Sequence, residues 1–162
     1  MNRFISISLA AVLMMASSAQ ALAQQAPAGA QQQAAQASPL DVDPNSMVMA
    51  AMQAAQLVDA GRAAEMWEGG SAVAKQAVKK DAFVQQITTA RAPLGQPVSR
   101  AWLSVIRQSI QPSQASAGSP PGGDYVSVRF ATRFSSGRTV AELVTFRLEE
   151  NGTWRVAGYA IQ

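Results

Sequence analysis

The residue pattern predicts an α+β domain: three N-terminal helices packed on a four-stranded antiparallel meander sheet. Three observations predict it. Apolar side chains recur at three- and four-residue spacing between Asp43 and Ala90, the spacing drops to two after Gly95, and Gly-containing turns separate the alternating runs that follow. Helices therefore precede strands in one block, the order of an α+β fold and not of alternating βα units.

The domain is preceded by two segments of different character. Residues 1–23 have the three parts of a secretory signal: Arg3 as the positive flank, an apolar run from Phe4 to about Ala16, and the small-residue site Ala21-Leu22-Ala23. The run is too short to span a bilayer, which needs roughly 20 apolar residues, and no other stretch approaches that length, so no membrane span is expected. Residues 24–43 are mostly Gln, Ala, Gly and Pro and predict a disordered tether, because so little apolar bulk cannot offset about 1–2 kcal/mol per residue of backbone ordering. The folded domain then occupies residues 44–162, and the expected location is the periplasm.

Asp43-Pro44-Asn45-Ser46 is a helix start, with an acceptor side chain followed by Pro in the first turn. Val48, Ala51, Met52, Ala55 and Val58 form one stripe, and Gly61 stops the helix. A short second helix, Arg62 to Glu68, turns Met66 and Trp67 inward before Gly69-Gly70 breaks it. The third predicted helix runs from its Ser71 cap to about Ala90, with Val73, Ala77, Val78, Val84 and Ile87 inward and a recapping position at Asp81 after a kink. Pro93 enforces its end.

Four strands follow, at about Val98–Ile110, Tyr125–Phe134, Arg138–Leu148 and Thr153–Ile161. The link from Gln111 to Asp124 holds Pro112, Pro120-Pro121 and Gly122-Gly123 and reads as an exposed, mobile loop. A three-residue loop at Ser135-Ser136-Gly137 pairs Phe134 with Arg138, so even numbers oppose even numbers: Phe130 meets Glu142, Val128 meets Val144, Val126 meets Phe146. The same loop type at Glu150-Asn151-Gly152 places Leu148 opposite Trp154, Phe146 opposite Val156 and Glu142 opposite Ala160. One continuous apolar face results, and the upstream helices are the cover available for it.

That register leaves Glu142 on the apolar face, between Phe130 and Ala160. A buried carboxylate without a partner costs several kcal/mol, so it must be paired, hydrogen-bonded, protonated or at a cavity mouth. Arg100, sharing parity with Trp102, Ser104 and Ile106, and Arg91, at the end of the third helix, are the candidate partners. An ion pair closing the open end of the helix–sheet sandwich, a cavity carboxylate with a raised pKa, and a bulge that turns Glu142 to solvent all fit. The opposite face carries Tyr125, Arg129, Arg133, Arg147 and Arg155 with Leu143 and Tyr159, and Arg147 beside Tyr125 and Arg155 suits an anion as well as plain solvation. Trp67, Trp102 and Trp154 fall on the inward stripes of their elements and read as core or cavity-lining groups.

Composition closes off much chemistry. The chain has no Cys and no His, which removes thiol nucleophiles, disulfides, the usual general base and the usual zinc ligands. Removing residues 1–23 takes Arg3 from the 13 basic residues and leaves the 10 acidic ones, a net charge of +2 and little support for nucleic-acid binding. Neither a metal-spaced acidic cluster nor a phosphate loop occurs, so no metal and no cofactor is expected.

Arg91-Ala-Pro93-Leu94-Gly95, Arg100, Tyr125-Val126-Ser127-Val128, Glu142-Leu-Val144-Thr145 and Asn151-Gly152-Thr-Trp154-Arg155-Val156-Ala-Gly158-Tyr159 resemble the exported bacterial family catalogued as domain of unknown function 4019, over about Leu57 to Ile161. The resemblance implies a cone-shaped, cystatin-like or nuclear-transport-factor-2-like α+β fold and supplies no activity. Similar cones host isomerases, hydratases and many non-catalytic binding domains. Their catalytic members often use Asp/His or Asp/Tyr pairs, and this chain lacks His.

The leading functional expectation is a non-enzymatic periplasmic ligand-binding or interaction module. It has a small apolar cavity between helices and sheet, with Glu142, Arg100, Arg91, Trp67, Trp102 and Trp154 as rim or binding residues. The second is a small acid–base enzyme, isomerase- or hydrolase-like, with Glu142 and Tyr159 as catalytic candidates. The third is an envelope assembly subunit docking through an exposed sheet edge. The corresponding partners are a small apolar ligand or an envelope protein.

Overall fold

The computed structural model describes residues 41–114 and 120–162, all within the compact unit Gln36–Gln162. The signal segment of residues 1–23, most of the 24–43 tether and the middle of the Gln111–Asp124 link lie outside the described residues. Four helices precede the sheet where three were expected: α1 (Pro44–Asp59), α2 (Ala63–Glu68), α3 (Ala72–Ala77) and α4 (Lys80–Arg91). The sheet is an open antiparallel meander in the order β1 (Pro97–Ile110), β2 (Gly123–Phe134), β3 (Thr139–Leu148) and β4 (Trp154–Ile161). No helix among the described residues is long and apolar enough to cross a membrane.

Asp43 caps α1 through its carboxylate, which accepts from the backbone N–H groups of Asn45 and Ser46. The helix buries Met47, Ala51, Ala54, Ala55 and Val58. Three of these five are alanines, so the α1 backbone can approach the sheet closely. The predicted third helix is interrupted because Val78 is extended (φ −133°, ψ 125°), and its carbonyl accepts the Trp67 indole N–H at 3.0 Å. The interruption releases α3 from the core: Val73 is half-buried and Ala77 exposed, whereas Ile87 of α4 is buried.

The first hairpin has the expected register throughout, from Thr132↔Val140 to Tyr125↔Arg147, with Phe130 opposite Glu142. Gly137 sits at φ 83° and Gly152 at φ 78°, the left-handed conformation that these loops require. Val126, Val128, Phe130, Val144 and Phe146 are buried together with Met47, Ala51, Ala54, Val58, Met66 and Ile87, so the even-numbered face of β2 and β3 meets the helices. Each fully buried Val or Phe contributes about 1.5–3 kcal/mol of transfer free energy.

Elsewhere bulges change the faces. Between β3 and β4, Phe146↔Val156 is followed by Thr145↔Gly158, leaving Ala157 unpaired; Glu142 therefore faces Ile161, not Ala160, and Tyr159 moves from the expected outer face to the inner one, opposite Val144. On β1 the register shifts around Val98 and Leu103, so Val105 takes the inward position opposite Val128 and Ile106 is turned out. Trp102 is a further correction: it lies at the second shift on an edge strand and is 62 % exposed, not a core or cavity group.

Candidate functional site

The inner end of the sandwich holds one closed set of charges. Asp59 is the last residue of α1, Arg91 the last of α4, Arg100 lies early in β1, Glu142 in β3. A carboxylate at a helix C-terminus opposes the helix dipole, so Asp59 needs cations, whereas Arg91 at the same kind of end is favoured. Arg100 grips Asp59 with both terminal nitrogens, at 3.0 and 3.1 Å, and Glu142 with Nε at 2.6 Å. Arg91 bridges the same two carboxylates, reaching Asp59 at 2.5 Å and Glu142 at 3.1 Å, and stacks on the Phe134 ring at 4.4 Å. Two guanidinium groups and two carboxylates make the set neutral.

Glu142 is 0 % exposed. Its Oε1 accepts from Arg91 and from the Tyr159 hydroxyl, and its Oε2 from Arg100 Nε and the Thr132 hydroxyl. A carboxylate offers about four lone-pair positions, and all are taken. Burial pushes the Glu142 carboxyl up, but hydrogen bonds from Arg100, Thr132 and Tyr159 outweigh it and hold the group below its ordinary value. Burial, then the bond to Glu142, pushes the Tyr159 phenol well above its ordinary value. A general base near neutrality needs the opposite shift and a free lone pair. Both expected partners of Glu142 are engaged at once; Asp59 and Thr132 complete the set and were not anticipated.

A cavity of about 190 Å³ opens on the far side of Tyr159, between α2, α3, α4 and the bulged end of β4. Met66, Trp67, Val78, Phe83, Val156 and Tyr159 form its apolar walls. Three features of the chain shape it: the Val78 break that separates α3 from α4, the Trp67 N–H held on the Val78 carbonyl, and the Ala157 bulge that turns Tyr159 inward. Lys75 lies over Trp67 at 5.3 Å, on the cavity's edge. Of the residues expected at a cavity, Trp67 lines this one and Glu142, Arg91, Arg100, Trp102 and Trp154 do not; Tyr159, expected on the outer face, lines it as well. Trp154 packs half-buried against the core. Among the described residues no cluster of carboxylates is arranged to hold a metal ion.

The outer face offers less to an anion than expected. Arg147 is buried, and its guanidinium meets Glu150 at 3.1 Å, Glu149 at 3.6 Å and the Gly122 carbonyl at 3.5 Å. Tyr125, its cross-strand neighbour, is buried too and donates to the Pro121 carbonyl at 2.7 Å.

Removing the Glu142 charge leaves two buried guanidinium groups facing one carboxylate, so Glu142→Gln is expected to lower the unfolding free energy by about 3–5 kcal/mol in urea titrations. The folded-state pKa lies below the unfolded one, so the contribution is complete above pH 4.5 and is lost as pH falls through the folded value. The parent should therefore weaken more steeply than the variant below pH 4.5. Equal stability, or equal acid slopes, would contradict the charge set as described.

Among curated proteins and among solved structures, none matches the chain. Residues 50–159, from the middle of α1 to the Tyr159 that joins cavity and charge set, match the family model described as Protein of unknown function (DUF4019), and the chain belongs to that family.

Proposed function

We propose that the chain is an exported periplasmic module that holds a small, uncharged apolar ligand in the cavity between α2, α3, α4 and β4 and carries out no chemistry on it. The observation that carries this reading is the pairing of an apolar cavity with a saturated charge set. Trp67, Phe83 and Tyr159 give the walls large apolar area. The carboxylate nearest to it through Tyr159 is ionised, inaccessible and fully hydrogen-bonded. A cavity of about 150 Å³ lined by apolar side chains can bind a benzene-sized molecule. The volume here, about 190 Å³, therefore suits a single aromatic ring with a short substituent. The absence of His and Cys from the whole sequence supports binding over turnover.

Export rests on the signal pattern of residues 1–23. The helix-then-sheet order and the layer of helices on one sheet face support placing the domain among cystatin-like or nuclear-transport-factor-2-like cones.

Titrating 4-methylphenol while recording methyl spectra should give saturable shifts at Met66, Val78 and Val156, with a dissociation constant on the order of 0.1–1 mM for so small a molecule. Ala74→Leu, which adds an aliphatic side chain on the α3 wall, should weaken binding about tenfold or more at unchanged unfolding free energy. Shifts scattered over the surface, or full binding by Ala74→Leu, would rule out the cavity as the site. Export has its own test: protein from the periplasmic fraction should begin at Gln24, and an intact N-terminus in the cytoplasmic fraction would refute it.

A further inference from the structure

The two edges of the sheet are treated differently. β4 is partly closed, because the Gly69–Ser71 turn crosses its edge: Ser71 N–H donates to the Val156 carbonyl at 2.7 Å and Arg155 donates to the Gly69 carbonyl at 3.3 Å. A Cβ on Gly70 would sit 3.1 Å from that same Val156 oxygen, so the turn lies hard against the strand. β1, 14 residues long, pairs along one side only among the described residues, with β2. Four of the five exposed large apolar side chains among the described residues belong to it: Val98, Trp102, Leu103 and Ile106, each more than half exposed. An edge with open backbone groups and an apolar fringe is the arrangement to which an extended segment adds.

Charge decides what kind of segment. The outer face beside β1 carries Arg129 and Arg133 on β2, both exposed, with Arg129 donating to the Gln162 side-chain oxygen at 3.0 Å. No carboxylate among the described residues pairs with either arginine, and the acidic residues of that face, Glu149 and Glu150, are held by Arg147. A strand added 4.7–4.9 Å beyond β1 would lie about 10 Å from β2, a gap that an extended Arg and an extended Glu can close together. A second copy of this chain is disfavoured twice over. It would bring like charges to one surface, and the register shifts at Val98 and Leu103 would have to match across the pair. Arg133 lies opposite Ser99 and Arg129 opposite Ser104, so the stretch that faces both is Ser99–Ile106, which also carries the exposed Trp102, Leu103 and Ile106; its one extra residue, Leu103, is a kink that a flexible segment can follow and a preformed edge strand cannot.

We infer that the open edge of β1 is a docking site for an extended protein segment of alternating acidic and apolar residues, which adds as a fifth strand along Ser99–Ile106 with its acidic side chains toward Arg133, opposite Ser99, and Arg129, opposite Ser104. The site is independent of the cavity, so either reading can fail without the other.

The test uses the whole protein and a short peptide of alternating glutamate and valine, followed by backbone amide shifts. Saturable shifts are expected at Ser99–Ile106, with affinity falling as salt rises. A lysine–valine peptide should bind about tenfold more weakly, and the double variant Arg129→Glu, Arg133→Glu should reverse that order. A glutamate–valine peptide N-methylated at alternate amides cannot pair as a strand and should not bind. Equal binding of the two charge types, full binding of the N-methylated peptide, shifts confined to the cavity walls, or no shift at all would each overturn the proposal. So would a peptide-free dimer whose interface, mapped by the same amides, is β1.

Discussion

A carboxylate with no access to water, Glu142, is held by four donors from four different elements, and the rest of the domain is arranged around that requirement. Moving an ion out of water costs several kcal/mol, recovered only where partners and hydrogen bonds are complete. Completion here takes Arg91 from the end of α4, Arg100 from β1, Thr132 from β2 and Tyr159 from β4, with Asp59 balancing the second guanidinium. The set therefore fixes where the helices end relative to the sheet. An apolar cluster of the same volume would pack the layers without dictating that alignment.

Tyr159 joins this polar end to the apolar cavity. Its ring lines the cavity while its hydroxyl donates to Glu142, so one side chain serves as wall on one side and as donor on the other. The single extra residue at Ala157 makes this possible by moving Tyr159 to the inner face. The Val78 break does the matching work on the helical side, because a continuous helix would keep its carbonyl in the helical ladder and deny the Trp67 indole its acceptor. The cavity is thus a consequence of two local irregularities facing each other across the layers.

Both irregularities explain what could be read from residues alone. The β2–β3 register was legible because glycine loops and period-two alternation both constrain it, and Glu142 stood out as the one charge on an apolar face. Its Arg partners were legible from parity and from the end of a helix. The bulge at Leu103 was not, since no Gly or Pro marks it, and the one at Ala157 left an unused signal in the adjacent Gly158; these shifts moved Ile106 outward and Tyr159 inward, whereas Trp102 keeps its place opposite Phe130 and is exposed because it lies on the edge strand. Asp59 left a signal that went unused. It is the sole charged residue of α1 and lies at the end where the dipole penalises a carboxylate. Thr132 lay in plain view between Phe130 and Phe134 as the only hydroxyl on the inward side of its strand's last turns of alternation.

The protonation of one side chain tests the account most directly. Carbon-13 titration of the Glu142 side-chain carboxyl should show it ionised across neutral pH, with its midpoint below the ordinary glutamate value of 4.5. A midpoint near or above 6 would mean a carboxyl that is neither saturated nor fully paired, and would return Glu142 to the role of an acid–base group.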